Sequence, residues 1–198
     1  MRFSVSVSLA LLLSGTGSFK AQTPARQPPA TTRKFNELTL AGLRPGRDKS
    51  GKAIRLYGKP DSRSPDQQTL DWWFKASTGA FHLSVDLDKT DVVQFIRVSH
   101  DDGPHGLMVP RHSAFPIRAW ESGRGLAVDT AGSRVTELYG EPDSRSPSTK
   151  DGRRLELLYY AFDWAGADVP QVMEVVCTAE DDGWPGRVVE ITLAAPSL

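Results

Sequence analysis

The chain reads as an α+β fold of two tandem repeats. Each is a short helix (or helix pair) followed by a three- to four-stranded antiparallel meander, with the helices on one face of a shared sheet. Three observations predict it. The decapeptide LYGKPDSRSP at Leu56 to Pro65 returns as LYGEPDSRSP at Leu138 to Pro147, nine identities in ten. Each copy closes a segment with apolar residues at helical spacing, and each precedes runs in which apolar and polar residues alternate.

The chain opens with Met1-Arg2 and an apolar stretch from Phe3 to Leu13, then small and polar residues to Ala21. That layout predicts a Sec-type signal peptide over 1–21 and a periplasmic or secreted protein, and the apolar stretch is too short to span a bilayer. Thr16 stands where a lipoprotein signal would carry its cysteine, so no lipid anchor is expected there. Residues 22–36 begin QTPARQPPATTR, with three prolines and little apolar surface, and read as a disordered tether. Beyond it the expected division is repeat 1 over 37–99, an inter-repeat linker over 100–122 and repeat 2 over 123–198.

In copy one Ala53, Leu56 and Tyr57 make an i, i+3, i+4 apolar face; Val135, Leu138 and Tyr139 match them in copy two. Asp48 or Ser50, and Asp129 or Thr130, are the expected N-caps. Gly58 and Gly140 stand where a left-handed C-terminal cap needs a residue without Cβ, and Pro60 and Pro142 end any continuation. Strands are predicted over Leu70 to Lys75, Ala80 to Leu87 and Val92 to Ser99, then over Arg154 to Phe162, Val172 to Ala179 and Arg187 to Ala194. Acidic turns join the last two runs of each copy.

Alternation assigns faces. Leu70, Trp72 and Phe74 oppose Asp71, Trp73 and Lys75, while Phe81, Leu83, Val85 and Leu87 oppose His82, Ser84 and Asp86. Met173, Val175 and Cys177 share the apolar side of their strand with no basic neighbour, so Cys177, the one cysteine of the chain, reads as a small core hydrophobe.

The Gly-Leu lead-ins (Gly42-Leu43, Gly125-Leu126), the apolar helix positions and the Tyr-Gly-x-Pro ends (Tyr57-Gly58, Pro60; Tyr139-Gly140, Pro142), each before a meander, resemble a known fold group. It comprises the tandem-repeat secreted β-lactamase inhibitor protein and the small lipoproteins of the outer-membrane assembly machinery (BamE/SmpA type). The resemblance implies tandem helix-plus-sheet units from about Gly42 to Leu193. The chain departs from both: one cysteine forbids the inhibitor's disulfides, and the lipidated cysteine of the lipoproteins is missing.

Lys plus Arg and Asp plus Glu balance at 24 each, leaving no basic field for nucleic acid or anionic lipid. No nucleophile elbow, phosphate-cradling glycine loop or zinc-hydrolase helix occurs, so neither an enzyme nor a cofactor is expected. His100, Asp101, Asp102, His105 and His112 crowd the inter-repeat segment, but Gly103-Pro104 bars a helical ligand pair. The acidic turns Asp86, Asp88, Asp91 and Glu180, Asp181, Asp182 lack the glycine and terminal glutamate of an EF-hand loop.

The identical DSRSP tails (Asp61 to Pro65, Asp143 to Pro147) read as side-chain-closed turns, with Arg63 and Arg145 holding a neighbouring carboxylate or binding a partner. Trp73, with Tyr160 as its expected counterpart, is the aromatic anchor of a helix-free face rimmed by Asp71, Lys75 and His82. The expected function is an exported, non-enzymatic module that binds a protein or cell-envelope component. The alternatives are a structural accessory domain, whose aromatic face is covered by the chain itself, and a small metal-dependent hydrolase or sensor using His100, His105 and Asp101.

Overall fold

The computed structural model describes residues 36–76, 79–101, 120–150, 152–162, 171–180 and 185–195; the side chains of Lys75, Ala76 and Asp101 are outside that set. Two short helices and one eight-stranded antiparallel sheet form an α+β fold. Helix α1 (Ser50–Tyr57) precedes β1 (Ser62–Arg63), β2 (Thr69–Ala76), β3 (Gly79–Leu87) and β4 (Val93–Asp101). Helix α2 (Ser133–Tyr139) precedes β5 (Ser144–Lys150), β6 (Arg153–Ala161), β7 (Val172–Ala179) and β8 (Pro185–Ala194). The strand order β1-β2-β3-β4-β8-β7-β6-β5 makes each half a meander, joined at its last strand to the other half.

Both helices stop where the glycines stop them. Gly58 (φ 77°) and Gly140 (φ 82°) each donate a backbone hydrogen bond of 2.8 Å, to the carbonyls of Ile54 and Thr136. Their starts differ from expectation, since Lys49 and Gly132 occupy the N-cap positions without a side-chain cap. Asp48 instead accepts the Arg44 amide and the Lys52 ammonium, both at 2.7 Å, tying the approach to the first turn. The Asp48 carbonyl takes the Val93 amide and the Thr130 carbonyl takes the Val188 amide. Each helix is thereby pinned to the closing strand of its own half.

Register links the halves into one core. Trp72, Leu83, Val98, Ile191, Val175 and Leu158 form one cross-strand row; Leu70, Val85, Ile96, Leu193, Met173 and Tyr160 form the next. All twelve are buried. Within each half, Leu70–Val85–Ile96 corresponds to Leu158–Val175–Ile191, and Trp72–Leu83–Val98 to Tyr160–Met173–Leu193. At the junction Ile96 faces Leu193 and Val98 faces Ile191, so the halves meet as an isologous pair about the Arg97–Thr192 position. Such rows supply the cross-strand apolar contacts that stabilise a sheet. Tyr57 and Tyr139 pack from the helices onto this face, Tyr57 edge-on to Trp72 and Trp120, and Tyr139 against Tyr160 and Phe162.

Two strands are absent from the sequence reading, β1 and β5, and both begin in the DSRSP tails. In the first half Ser62 and Arg63 pair with β2, after which Ser64 to Thr69 closes a turn: the Ser64 amide donates to the Thr69 carbonyl and Ser64 Oγ accepts the Thr69 amide. In the second half the same residues run on to Lys150 and pair along β6. Pro147 is tolerated because β5 is an edge strand. The dipeptide Asp151-Gly152, with Gly152 at φ 76°, is the hairpin signal that identifies β5 in the sequence.

Candidate functional site

The helices cover the apolar rows, and the opposite face carries what alternation leaves over. Its rows are Asp71–Ser84–Arg97–Thr192–Glu174–Tyr159 and Trp73–His82–Ser99–Glu190–Val176–Leu157. Trp73 and His82 stack with ring centroids 3.8 Å apart and planes 6° from parallel. His82 Nε2 donates to Asp71 at 2.9 Å, and Ser62 Oγ donates to the other Asp71 oxygen at 3.0 Å. Burial works against ionisation of Asp71, but the hydrogen bonds from His82, Ser84 and Ser62 and the His82 charge outweigh it, holding the carboxyl below its ordinary range.

Beside this stack lies a cleft of about 420 Å³, within the roughly 300–1,000 Å³ range of ligand pockets. Trp73 and His82 form one wall, Arg97, Ser99 and Glu190 the middle, and Ser148, Lys150 and Arg153 the far wall, over apolar groups from Leu155, Val176 and Val189. Trp73 and Arg153 come from strands on opposite sides of the β4–β8 junction, so the sheet curls around its helix-free face. Arg97 reaches Glu190 at 3.3 Å.

Of the residues expected at this face, Trp73, Asp71 and His82 are brought together; Lys75 pairs with Ala80 through its backbone, and its side chain is outside the described residues. Tyr160 is a correction. It is fully buried, and its hydroxyl donates to the Gly140 carbonyl at 3.0 Å, as Trp72 Nε1 donates to the Gly58 carbonyl at 3.2 Å. Tyr160 is therefore the counterpart of Trp72, and Ala161 that of Trp73. A slip of one residue in matching the repeats exchanges the faces. The apolar groups on the free face of β6 are accordingly Leu155, Leu157 and Tyr159.

Arg63 and Arg145 pair with Leu70 and Leu158, hence on the core side of their strands. Arg145 bonds Glu141 at 3.1 Å and lies 3.6 Å from Glu156, a local tie at the sheet edge, while Arg63 is exposed. The DSRSP aspartates close the edge pairing. Asp61 and Asp143 accept the amides of Trp73 (2.9 Å) and Ala161 (2.8 Å), and their own amides donate to Asp71 and Tyr159.

His100 continues β4, stacks on Phe81 with centroids 4.4 Å apart, and bonds Asp129 at 2.7 Å. His105, His112 and Asp102 lie outside the described residues, as do Asp181 and Asp182. Asp88 accepts the amides of Thr90 and Val92 and the Gln94 side chain, closing the β3–β4 turn. No group of three or more His, Cys, Asp or Glu side chains converges among the described residues, and none of their helices is long and apolar enough to cross a membrane.

Alternation in β4 and the β5–β6 hairpin would have named Arg97, Lys150 and Arg153 as free-face groups; the sequence reading passed over them. Phe95, 43% exposed on the same side of β4 as Arg97, is another such residue.

No protein-family model and no curated protein matches the chain. A crystal structure of a DUF4309 family protein, YjgB from Bacillus subtilis subsp. subtilis str. 168, is similar over 81% of this chain and 88% of that one. The sequence identity is 13% and the TM-score 0.43.

Proposed function

We propose that the chain is an exported, non-enzymatic binding module, two copies of one helix-plus-meander unit whose helix-free sheet face captures a protein of the cell envelope. The observation that carries this reading is the Trp73–His82 stack, set rigidly by Asp71 at the wall of a cleft with apolar groups beneath it. A preorganised ring beside a partly apolar depression loses little side-chain freedom on binding, and such residues dominate interface energies. The resemblance of the Gly-Leu lead-ins and Tyr-Gly-x-Pro ends to the inhibitor and assembly-lipoprotein group supports a tandem-repeat binding module. The Met1 to Ala21 signal supports an extracytoplasmic setting.

The test is capture from a detergent-solubilised envelope fraction by immobilised wild-type protein, compared with Trp73→Ala and His82→Ala. Loss of the captured species in both variants, with native thermal transitions, supports the face. Undiminished capture by folded Trp73→Ala eliminates it.

A further inference from the structure

Lys150 and Arg153 stand directly opposite each other on β5 and β6, next to the hairpin turn, and both line the cleft. Like charges opposed across an antiparallel pair destabilise it. Both positions of this pair present a cation to the cleft. Arg97, at the pseudo-twofold position between the halves, adds a third cation from the middle of the cleft. Among the described residues Glu190 is the one acidic side chain lining it, reaching Arg97 at 3.3 Å, and His82 already has its carboxylate in Asp71. The chain as a whole is charge-balanced, which makes this local excess a property of the cleft rather than of the composition.

Resting on the reading of this face as a binding surface, we propose that the cleft takes an acidic peptide segment of the partner protein: carboxylates against Lys150, Arg153 and Arg97, with an adjoining aromatic or aliphatic side chain beside Trp73. The charges supply complementarity and steer encounter. Apolar lining from Leu155, Val176 and Val189 favours such a segment over a purely charged polyanion.

The experiment measures fluorescence anisotropy of a labelled random copolymer of glutamate and tyrosine with the full mature chain, at two salt concentrations, against polyglutamate and heparin. The glutamate–tyrosine copolymer should bind best, weaken as salt rises, and lose at least tenfold in affinity with Lys150→Glu. That substitution also converts the opposed pair into an attractive one. Its thermal midpoint should therefore hold or rise while binding falls, a combination that a structural role for Lys150 would not produce. Failure of the copolymer to bind, equal binding by Lys150→Glu, or tighter binding of heparin each overturns the proposal. Envelope capture that needs Trp73 but survives Lys150→Glu would overturn the acidic class alone, whereas capture indifferent to Trp73 overturns the face itself.

Discussion

Trp73 lies flat on His82, and the same imidazole holds Asp71 at 2.9 Å, so one histidine fixes both a ring and a carboxylate on the helix-free face. Stacked rings contribute about 0.5–1.5 kcal/mol beyond their burial. A double-mutant cycle of Trp73→Ala and His82→Ala in chemical denaturation should give a coupling of about 1 kcal/mol. Additive losses would mean that the rings merely share a surface.

Asp71 links this face to pH. Its folded carboxyl sits below the ordinary value of 3.8, so its contribution to stability is complete above that value and is lost as the pH falls through the lower folded one. Asp71→Asn should flatten the acid limb of the stability profile below about pH 4. Superimposable acid limbs for wild type and variant would count against the Ser62–Asp71–His82 arrangement.

The duplicated aspartates should behave alike in kind and differ in size. Asp61→Ala and Asp143→Ala each orphan a strand amide, that of Trp73 or of Ala161. Asp61 is partly buried and Asp143 exposed. Losses of about 1–2 kcal/mol and about 0.5–1 kcal/mol follow, measured by urea unfolding.

The two helix-ending tyrosines are matched by position but not by partners. Tyr57 donates to the Ala41 carbonyl, whereas Tyr139 donates to Glu37 at 2.7 Å and meets Ser122 Oγ at 2.6 Å. Glu37 is itself buried, holding the amides of Leu38, Thr39 and Arg124. Tyr139→Phe strips a partner from a buried carboxylate and should cost about 2–3 kcal/mol, against about 1 kcal/mol for Tyr57→Phe. Equal losses would show that Glu37 does not depend on Tyr139.

Cys177 is fully buried on the core face of β7, and burial pushes its thiol up to about 12. An aromatic disulfide reagent at pH 8 should leave it unmodified in the native protein and label it fully in denaturant. Rapid native labelling would contradict this packing.

The helix ends, the strands after them and the apolar sides of the first meander were legible because each rests on a local signal: a glycine that must take a positive φ, a proline that stops a helix, a period of two. β1 was not, because a two-residue strand has no period to read. Nor was the phase of β6, where Leu155, Leu157, Leu158, Tyr159 and Tyr160 offer apolar groups to both faces; pairing of Leu158 and Tyr160 with Val175 and Met173, and the bond from Tyr160 to Gly140, decide which side is core.

By itself the amino-acid sequence determined the duplication, the two helices with their glycine terminators, six of the strands and the burial of Cys177. All of these follow from short-range sterics or from alternation within one strand. Tertiary pairing decided the fate of the repeated DSRSP, which enters a turn in one half and runs on as an edge strand in the other: Asp61 and Trp73 are joined across 12 positions, Asp143 and Ala161 across 18. It also decided that Lys150 and Arg153 share a cleft with Trp73. Curling of the sheet, which no local pattern encodes, brings those strands together.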